Sequence, residues 1–251
     1  MNKTYIKIDI NAVNVNFYQT EFLYGLPSPF VYHSLLKNIE LKINNSKEID
    51  GEFSISNGFM ITYKRNGFMG QSKTHTLKSR DPVRSDGLVD MPRGYIEVSL
   101  IFELNHTFLE IEDLLNAFNI LKKLRIAGGN IINYKMQIES TIKNIYRPIG
   151  YTQYSMDSNF DSIDHMIYEA SLIKKGSKGI KALSRVGELI LGKGNTEDSI
   201  YKKEHYYVEP IIKFTKFTFL KEKLTEEVYD KYSWKTKKIK DQYIIETNHK
   251  G

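Results

Sequence analysis

Hydrophobic and polar residues alternate along four stretches of the first 150 residues, and this period-two pattern predicts β-strands. In the first stretch an isoleucine stands at every second position, with Lys7 and Asp9 between them. Asn57-Gly58 lies inside the second stretch and is compatible with a hairpin turn there, so a continuous strand and a hairpin both stay open. The predicted strands cover residues 5–10, 53–63, 95–104 and 131 to about 145.

Apolar residues at helical spacing separate these strands and predict two helices. Ser28 and Pro29 suit the N-cap and the first helical position of the first helix. The sequence Thr-Phe-Leu-Glu at 107–110 has the form of a capping box that opens the second. The predicted buried faces hold Val31, Leu35 and Ile39 in the first helix and Ile111, Leu114, Leu115, Phe118 and Leu121 in the second.

The last hundred residues are predicted to be a smaller addition of helices and strands. Apolar residues at 163–170 and 180–190 are spaced as in helices, and a basic turn at 174–179 joins them. Residues 206–220 and 242–247 read as strands on either side of a Lys-rich segment that contains Trp234.

The order β-α-β-β-α-β in the first part is typical of ferredoxin-like folds, which many RNA-recognition modules share. The predicted fold class is therefore α+β. A ferredoxin-like domain covers residues 1–150, with an inserted β-hairpin, the thumb, at about 64–92. A C-terminal α/β elaboration covers residues 151–251.

A dense basic cluster occupies the middle of the predicted thumb. Asn66-Gly67 before it and Asp86-Gly87 after it favour tight turns, so a short β-ribbon with cations at its tip is predicted. Such a ribbon suits contact with a phosphate backbone, and an ordinary solvated loop of the same composition is the alternative. The cluster contains Lys73, His75, Lys78, Arg80 and Arg84.

Composition narrows the function classes. The 36 Lys and Arg against 30 Asp and Glu give a formal charge of +6, a mild excess that fits a nucleic-acid partner without requiring one. The absence of cysteine excludes disulfides and thiolate metal sites, and the six histidines are not paired at a metal-ligand spacing. No cofactor, metal site, signal peptide or membrane span is predicted, and a cytoplasmic location is expected.

Two further motifs bear on chemistry. The Gly-x-x-x-x-Gly-Lys skeleton at 187–193 is followed by Gly194 where a P-loop needs Ser or Thr, so no nucleotide site is predicted. His33 and His75 are candidate general bases for metal-independent RNA cleavage, since imidazole titrates near neutral pH. A packed histidine is the commoner state inside a helix, and a phosphate contact is as useful on a basic ribbon. No catalytic residue is predicted.

Four segments in sequence order resemble one protein family. They are YGLPSP at 24–29 followed by VYHSLL, SKTHTLKSRDPVRSDG at 72–87, YIEVSLIFEL at 95–104 and LRIAGGNI at 124–131. Together they resemble the guide-RNA 5′-end-capping subunit of type I-F CRISPR surveillance complexes (Csy, or Cascade), a member of the RAMP superfamily. The resemblance covers about residues 5–154. Asn130 stands where that family usually has Ser, and the C-terminal part is shorter than the family leads us to expect.

The resemblance implies a non-catalytic subunit with three kinds of partner. Such a subunit holds the 5′ handle of the guide RNA (crRNA), pairs with a large effector subunit and caps the row of backbone subunits. Target DNA is recognised indirectly, because base pairing by the guide reads its sequence.

The resemblance also implies roles for individual residues. Lys73, His75, Lys78, Arg80 and Arg84 would contact the RNA backbone and place the thumb. Arg125, with the amides around Gly128, Gly129 and Asn130, would hold handle phosphates or base edges. Ser28 would shape the handle pocket or simply start the helix, and these two roles stay open.

Two other functions remain open from the sequence. One is an endoribonuclease of the same superfamily that processes the guide precursor. The other is a mobile-element-encoded variant of the subunit that acts through protein interaction.

Overall fold

A ten-stranded antiparallel sheet organises the described part of the chain. The computed structural model describes residues 2–20, 23–45, 52–68, 93–107, 111–156, 180–194 and 205–248. The strands are β1 Asn2–Asn16, β2 Tyr18–Thr20, β3 Leu23–Tyr24, β4 Phe53–Phe68, β5 Arg93–His106, β6 Arg125–Ile126, β7 Gly129–Glu139, β8 Tyr151–Ser155, β9 Ile180–Lys193, β10 Tyr206–Phe219, β11 Trp234–Ile239 and β12 Gln242–Thr247. The helices are α1 Pro29–Asn44, α2 Ile111–Ala117 and α3 Glu226–Tyr232, with 3-10 turns at Phe118–Lys123 and Ile142–Asn144.

The large sheet closes on itself over six of its strands. Its order is β11-β12-β9-β10-β8-β4-β5-β1-β7-β6, and β11 also pairs with β4 through Trp234 opposite Phe59. The free edge of β4 is thus shared by β8 and β11, which lie one after the other along it. The remaining strands, β2 and β3, form a separate small ladder.

The predicted fold class is wrong. The structure is mostly antiparallel sheet and not a ferredoxin-like α+β fold. Most of the predicted thumb, residues 69–92, lies outside the described residues. Strands from the last hundred residues continue the same sheet from the edge of β4. The prediction placed β4 in a domain of four strands within residues 1–150. Residues 59–63 of β4 are buried on both faces of the strand, as in the interior of a large sheet.

The helix predicted at 180–190 is also wrong, because these residues form β9 and pair with β10 along its length. Polar residues occupy interior positions here. Ser184 is buried and its hydroxyl lies 3.0 Å from the Thr215 hydroxyl, and both accept hydrogen bonds from the Gln153 side-chain amide. A buried serine hides the period-two pattern, and the remaining apolar residues fall by chance at helical spacing. The Gly-x-x-x-x-Gly-Lys skeleton therefore lies along a strand and not at a strand-to-helix loop.

The four strand predictions in the first 150 residues are confirmed, with different ends. Phe53–Phe68 is one strand with a register shift between Ile55 and Phe59, so the hairpin alternative at Asn57-Gly58 is excluded. Asn66-Gly67 does not form the predicted turn, since both residues pair with β5. The strands predicted at 206–220 and 242–247 are confirmed as β10 and β12.

Both helices predicted before residue 125 are confirmed. Pro29 begins α1, whose Tyr32, Leu35, Leu36 and Ile39 pack on the sheet. The second helix is shorter than predicted, because α2 ends at Ala117 and a 3-10 turn follows it. The residues buried along the two are Leu114, Ala117, Phe118 and Leu121, at i, i+3, i+4 and i+7 spacing. Ile111 and Leu115, predicted to be buried, lie outside this face and are 62% and 42% exposed.

The opposite face of the sheet is covered at one end by α3. Tyr229 of α3 packs edge-on against Tyr5 at 5.7 Å and donates a hydrogen bond to the Gly58 carbonyl. Ile142 and Ile145 are buried in the same hydrophobic cluster as Tyr5 and Tyr229. Among the helices that the structure describes, none is both long enough and apolar enough to cross a membrane.

Candidate nucleic-acid interface

A cavity of about 160 Å³ lies at the start of α1, and we call it the helix-start pocket. It brings together three parts of the chain that are far apart in sequence: the turn before α1, the hairpin between β6 and β7, and β9. The residues that line it include Gln19, Ser28, Phe30, Val31, Ala127 and Arg185.

Ser28 occupies the N-cap position of α1, as predicted, but its side chain does not cap the helix. The Ser28 carbonyl accepts the hydrogen bond of the Val31 amide at 2.9 Å instead. The side chain is 2% exposed and lines the helix-start pocket. Its hydroxyl is therefore a polar group on the pocket wall that the helix itself does not use.

The predicted glycine turn forms the β6–β7 hairpin. Ala127 and Gly128 have φ of 46° and 78°, so both central residues are left-handed, as a type I′ turn requires. The Ala127 carbonyl accepts a hydrogen bond from the Asn16 amide at 3.0 Å, which fixes the hairpin against β1. Ala127 lines the pocket, whereas Arg125 and Asn130 face each other in the ladder with exposed side chains.

Gly129→Ala is expected to destabilise the protein more than Gly128→Ala. A Cβ on Gly129 would lie 2.7 Å from the Val13 carbonyl oxygen and the Val15 Cα, and overpacking of this kind costs about 1–3 kcal/mol. Gly128 has open space around it, so alanine there costs only the left-handed conformation, about 1 kcal/mol. Urea unfolding of both variants checks the order, and equal losses would contradict the close approach.

Arg185 on β9 supplies the positive charge of the pocket. Its guanidinium lies 5.2 Å from the centre of the Phe30 ring and forms an ion pair with Glu188. The Arg185 Nε is buried without a hydrogen-bond partner in the described part of the chain. The guanidinium, paired with Glu188, thus has one buried N–H group without a partner among the described residues.

The side-chain amide of Gln19 ties β9 to the turn before α1. Its oxygen accepts a hydrogen bond from the Arg185 amide at 3.0 Å, and its nitrogen donates to the Leu26 carbonyl. Arg185 is therefore held at a fixed place beside the helix start.

The arrangement suits an anion. Pro29 has no amide hydrogen and the Val31 amide donates to the Ser28 carbonyl, so the start of α1 offers the Phe30 amide and the positive end of the helix dipole. A guanidinium and a serine hydroxyl stand on the same pocket wall. Phosphate oxygens are the ligands that such a combination binds best among common biological groups.

The five predicted contact residues of the basic cluster lie outside the described residues. They are Lys73, His75, Lys78, Arg80 and Arg84. The two ends of their segment are described, because β4 and β5 stay paired as far as Phe68 opposite Gly94.

His33 is packed in the core. Its Nε2 lies 2.7 Å from the Tyr243 hydroxyl, and its ring packs on Phe59 at 6.1 Å. Burial first, and the charge of Lys37 second, lower the pKa of His33 to about 4. A base of this pKa, enclosed by aromatic rings, gives RNA cleavage no support at this position. His75 lies outside the described residues.

No group of three or more His, Cys, Asp or Glu side chains in the described ranges is arranged to hold a metal ion. The site residues that sequence reasoning missed are Gln19 and Arg185. Arg185 was assigned to a helix, and only the pairing of β9 brings it to the start of α1.

The fold and the pocket define an antiparallel sheet protein with a candidate phosphate site between a helix start, a hairpin and a strand. A scan against protein-family models finds no match for this chain, and a search of the curated proteins finds none either. The likeness to CRISPR capping subunits therefore stands on the four sequence segments alone.

Proposed function

We propose that the protein is a non-catalytic RNA-binding subunit that holds the 5′ handle of a guide RNA in a CRISPR surveillance complex. It would pair with a large effector subunit, cap the backbone subunits and meet target DNA only through the guide. The proposal includes a cytoplasmic location. One observation carries it: Ser28 and Ala127, which belong to two segments of the resemblance, line a single cavity with Arg185.

The chemistry of the pocket supports RNA as the ligand. Single-stranded RNA is bound through phosphate contacts and through unstacked bases on aromatic or guanidinium surfaces. The helix-start pocket offers the positive end of α1, the Ser28 hydroxyl and Arg185 for a phosphate. The predicted basic segment follows Phe68, which pairs with Gly94, and adds cations to the same protein.

Arg185→Ala is expected to weaken binding of a handle RNA by about 10- to 100-fold, because it removes a charged hydrogen-bond donor. The slope of log K against log salt should fall by about 0.7, the value for one phosphate contact on a single strand. Arg80→Ala and Arg84→Ala are expected to act in the same direction. Fluorescence anisotropy with a 3′-labelled handle RNA at several salt concentrations measures both quantities.

Lys237→Ala is the matched control. Lys237 lies on β11, pairs with Glu246 and does not line the pocket, so its loss should leave affinity and salt slope unchanged. Equal losses in all of these variants would show that only diffuse positive charge matters. Wild-type protein that does not bind the handle RNA would refute the proposed function.

The endoribonuclease alternative needs a base beside one scissile phosphate. His33 is enclosed in the core, so His75 is the residue that this alternative depends on. Cleavage of a guide precursor by wild-type protein, lost in His75→Ala, would favour it. The mobile-element alternative predicts complexes with partner subunits in the absence of handle RNA.

A further inference from the structure

A second cavity, of about 470 Å³, opens where β4 runs past the start of β8. Four of its eight lining residues are aromatic, and two are cations. The residues that define it are Tyr63, Tyr95, Tyr151, Phe217, Lys64 and Arg65, and we call it the aromatic pocket.

The aromatic pocket has a buried floor and exposed sides. Tyr63 and Phe217 are 2% and 8% exposed. The Tyr63 hydroxyl donates a hydrogen bond to the Pro27 carbonyl at 2.7 Å. Tyr95 and Tyr151 are 38% and 46% exposed. Two rings are thus offered to solvent over an apolar floor, which is the surface that a flat aromatic ligand covers.

The charge beside the pocket is positive. The Lys64 and Arg65 side chains are 54% and 69% exposed, and both approach the same carboxylate, Glu97, at 3.9 Å. Two cations against one carboxylate leave a surplus of one positive charge. A ligand that combines a flat ring with a phosphate fits this distribution, whereas the cores of protein interfaces are depleted in lysine.

The aromatic pocket adjoins the helix-start pocket through the turn before α1. Leu26 lines the aromatic pocket, and the next two residues, Pro27 and Ser28, line the helix-start pocket. Consecutive Cα atoms are about 3.8 Å apart, so the two cavities are close enough for neighbouring groups of one ligand.

We propose that the aromatic pocket binds one unstacked nucleobase of a single-stranded RNA whose phosphate is held at the helix-start pocket. Tyr95 and Tyr151 supply the stacking surface, and Arg65 contacts the adjacent phosphate. This inference rests on the proposed RNA binding. The inference extends the proposed function by assigning a base-binding site that is separate from the basic segment.

The test uses handle RNAs that carry 2-aminopurine at one position each, scanned along the strand. Binding to wild-type protein should change the emission at one position, where the base stacks in the pocket. Tyr95→Ala and Tyr151→Ala should remove that change and weaken binding by about 5- to 100-fold, the range for one lost base–aromatic stack. Because no charge is removed, the salt slope should stay the same, whereas Arg65→Ala should lower it by about 0.7.

Two further variants serve as controls. Tyr151→Phe keeps the ring and should keep both the affinity and the emission change. Tyr206→Ala removes a tyrosine that is 55% exposed on β10 and does not line the pocket, so it should behave as wild type. Thermal unfolding of each variant confirms that it is folded, and the emission scan on wild-type protein tests the site without any substitution.

The outcomes separate this inference from the proposed function. RNA binding that is unaffected in both alanine variants, or a scan with no responding position, overturns the base site and leaves the proposed function standing. Wild-type protein that binds no handle RNA refutes the proposed function and this inference with it. Loss of a co-purifying protein subunit in Tyr151→Ala, with RNA affinity unchanged, would make the pocket a protein interface and also overturn the inference.

Discussion

Trp234→Ala is expected to lower the free energy of unfolding by about 3–5 kcal/mol, the range for deleting a buried large aromatic side chain. Trp234 is fully buried, and its indole nitrogen donates to the Gln153 carbonyl at 3.0 Å. It also pairs with Phe59 of β4, where β11 completes the closed part of the sheet. The substitution therefore leaves a cavity, an unpaired carbonyl and a weakened strand junction. Urea unfolding measured by circular dichroism gives the value.

Two variants control this prediction. Trp234→Phe keeps most of the apolar volume but loses the hydrogen bond to Gln153, so it should cost less than alanine, about 1–3 kcal/mol. Lys235→Ala, on the same strand, removes only an exposed ion pair with Asp230 and should change stability by less than about 1 kcal/mol. A Trp234→Ala variant as stable as Lys235→Ala would contradict the described closure.

Stability is expected to fall as the pH drops from about 6.5 to about 4 because of His33. The pKa of this residue is lowered from 6.5 to about 4 in the folded protein, mainly by burial. Above pH 6.5 the imidazole is neutral in both the folded and the unfolded protein, so it does not change the free energy of unfolding. Between the two values the unfolded chain binds a proton that the folded protein excludes, so unfolding becomes easier. The loss is on the order of 3 kcal/mol and is complete below about pH 4.

His33→Gln isolates this effect. Glutamine retains a hydrogen-bonding group for the Tyr243 hydroxyl but does not titrate, so the variant should lose less stability than wild type over the same pH range. Carboxylates contribute equally to both proteins and cancel in the difference. Parallel curves of unfolding free energy against pH would show that His33 is not buried in its neutral form.

The parts of the fold that sequence reasoning found are those whose pattern is local. β1 and β5 alternate plainly because interior and exterior residues differ in polarity. β9 was missed because its interior position Ser184 is polar and is satisfied by Thr215 and Gln153, residues from two other strands. A pattern in the neighbouring sequence cannot reveal a hydrogen-bond partner that lies on another strand. The fold class failed for the same reason, since β8 and β11 join β4 through contacts distant in sequence.

The candidate site, like the fold, could be predicted from the sequence only in part. The helix start at Ser28 and the turn at Gly128-Gly129 were predicted correctly, because the signals for both lie in adjacent residues. Arg185 was not found, because β9 and the Gln19 amide bring it to the pocket from far along the chain. The aromatic pocket was missed as well, since its walls come from β4, β5, β8 and β10.

The most direct test of the central claim is recovery of RNA from cells that express this chain together with a type I-F guide array and candidate partner subunits. The protein is purified and the 5′ ends of the bound RNA are sequenced. Intact guides with one uniform handle-length 5′ end are the predicted result, together with the large effector subunit. Heterogeneous RNA, or partner proteins recovered without guide RNA, would contradict the proposed capping role.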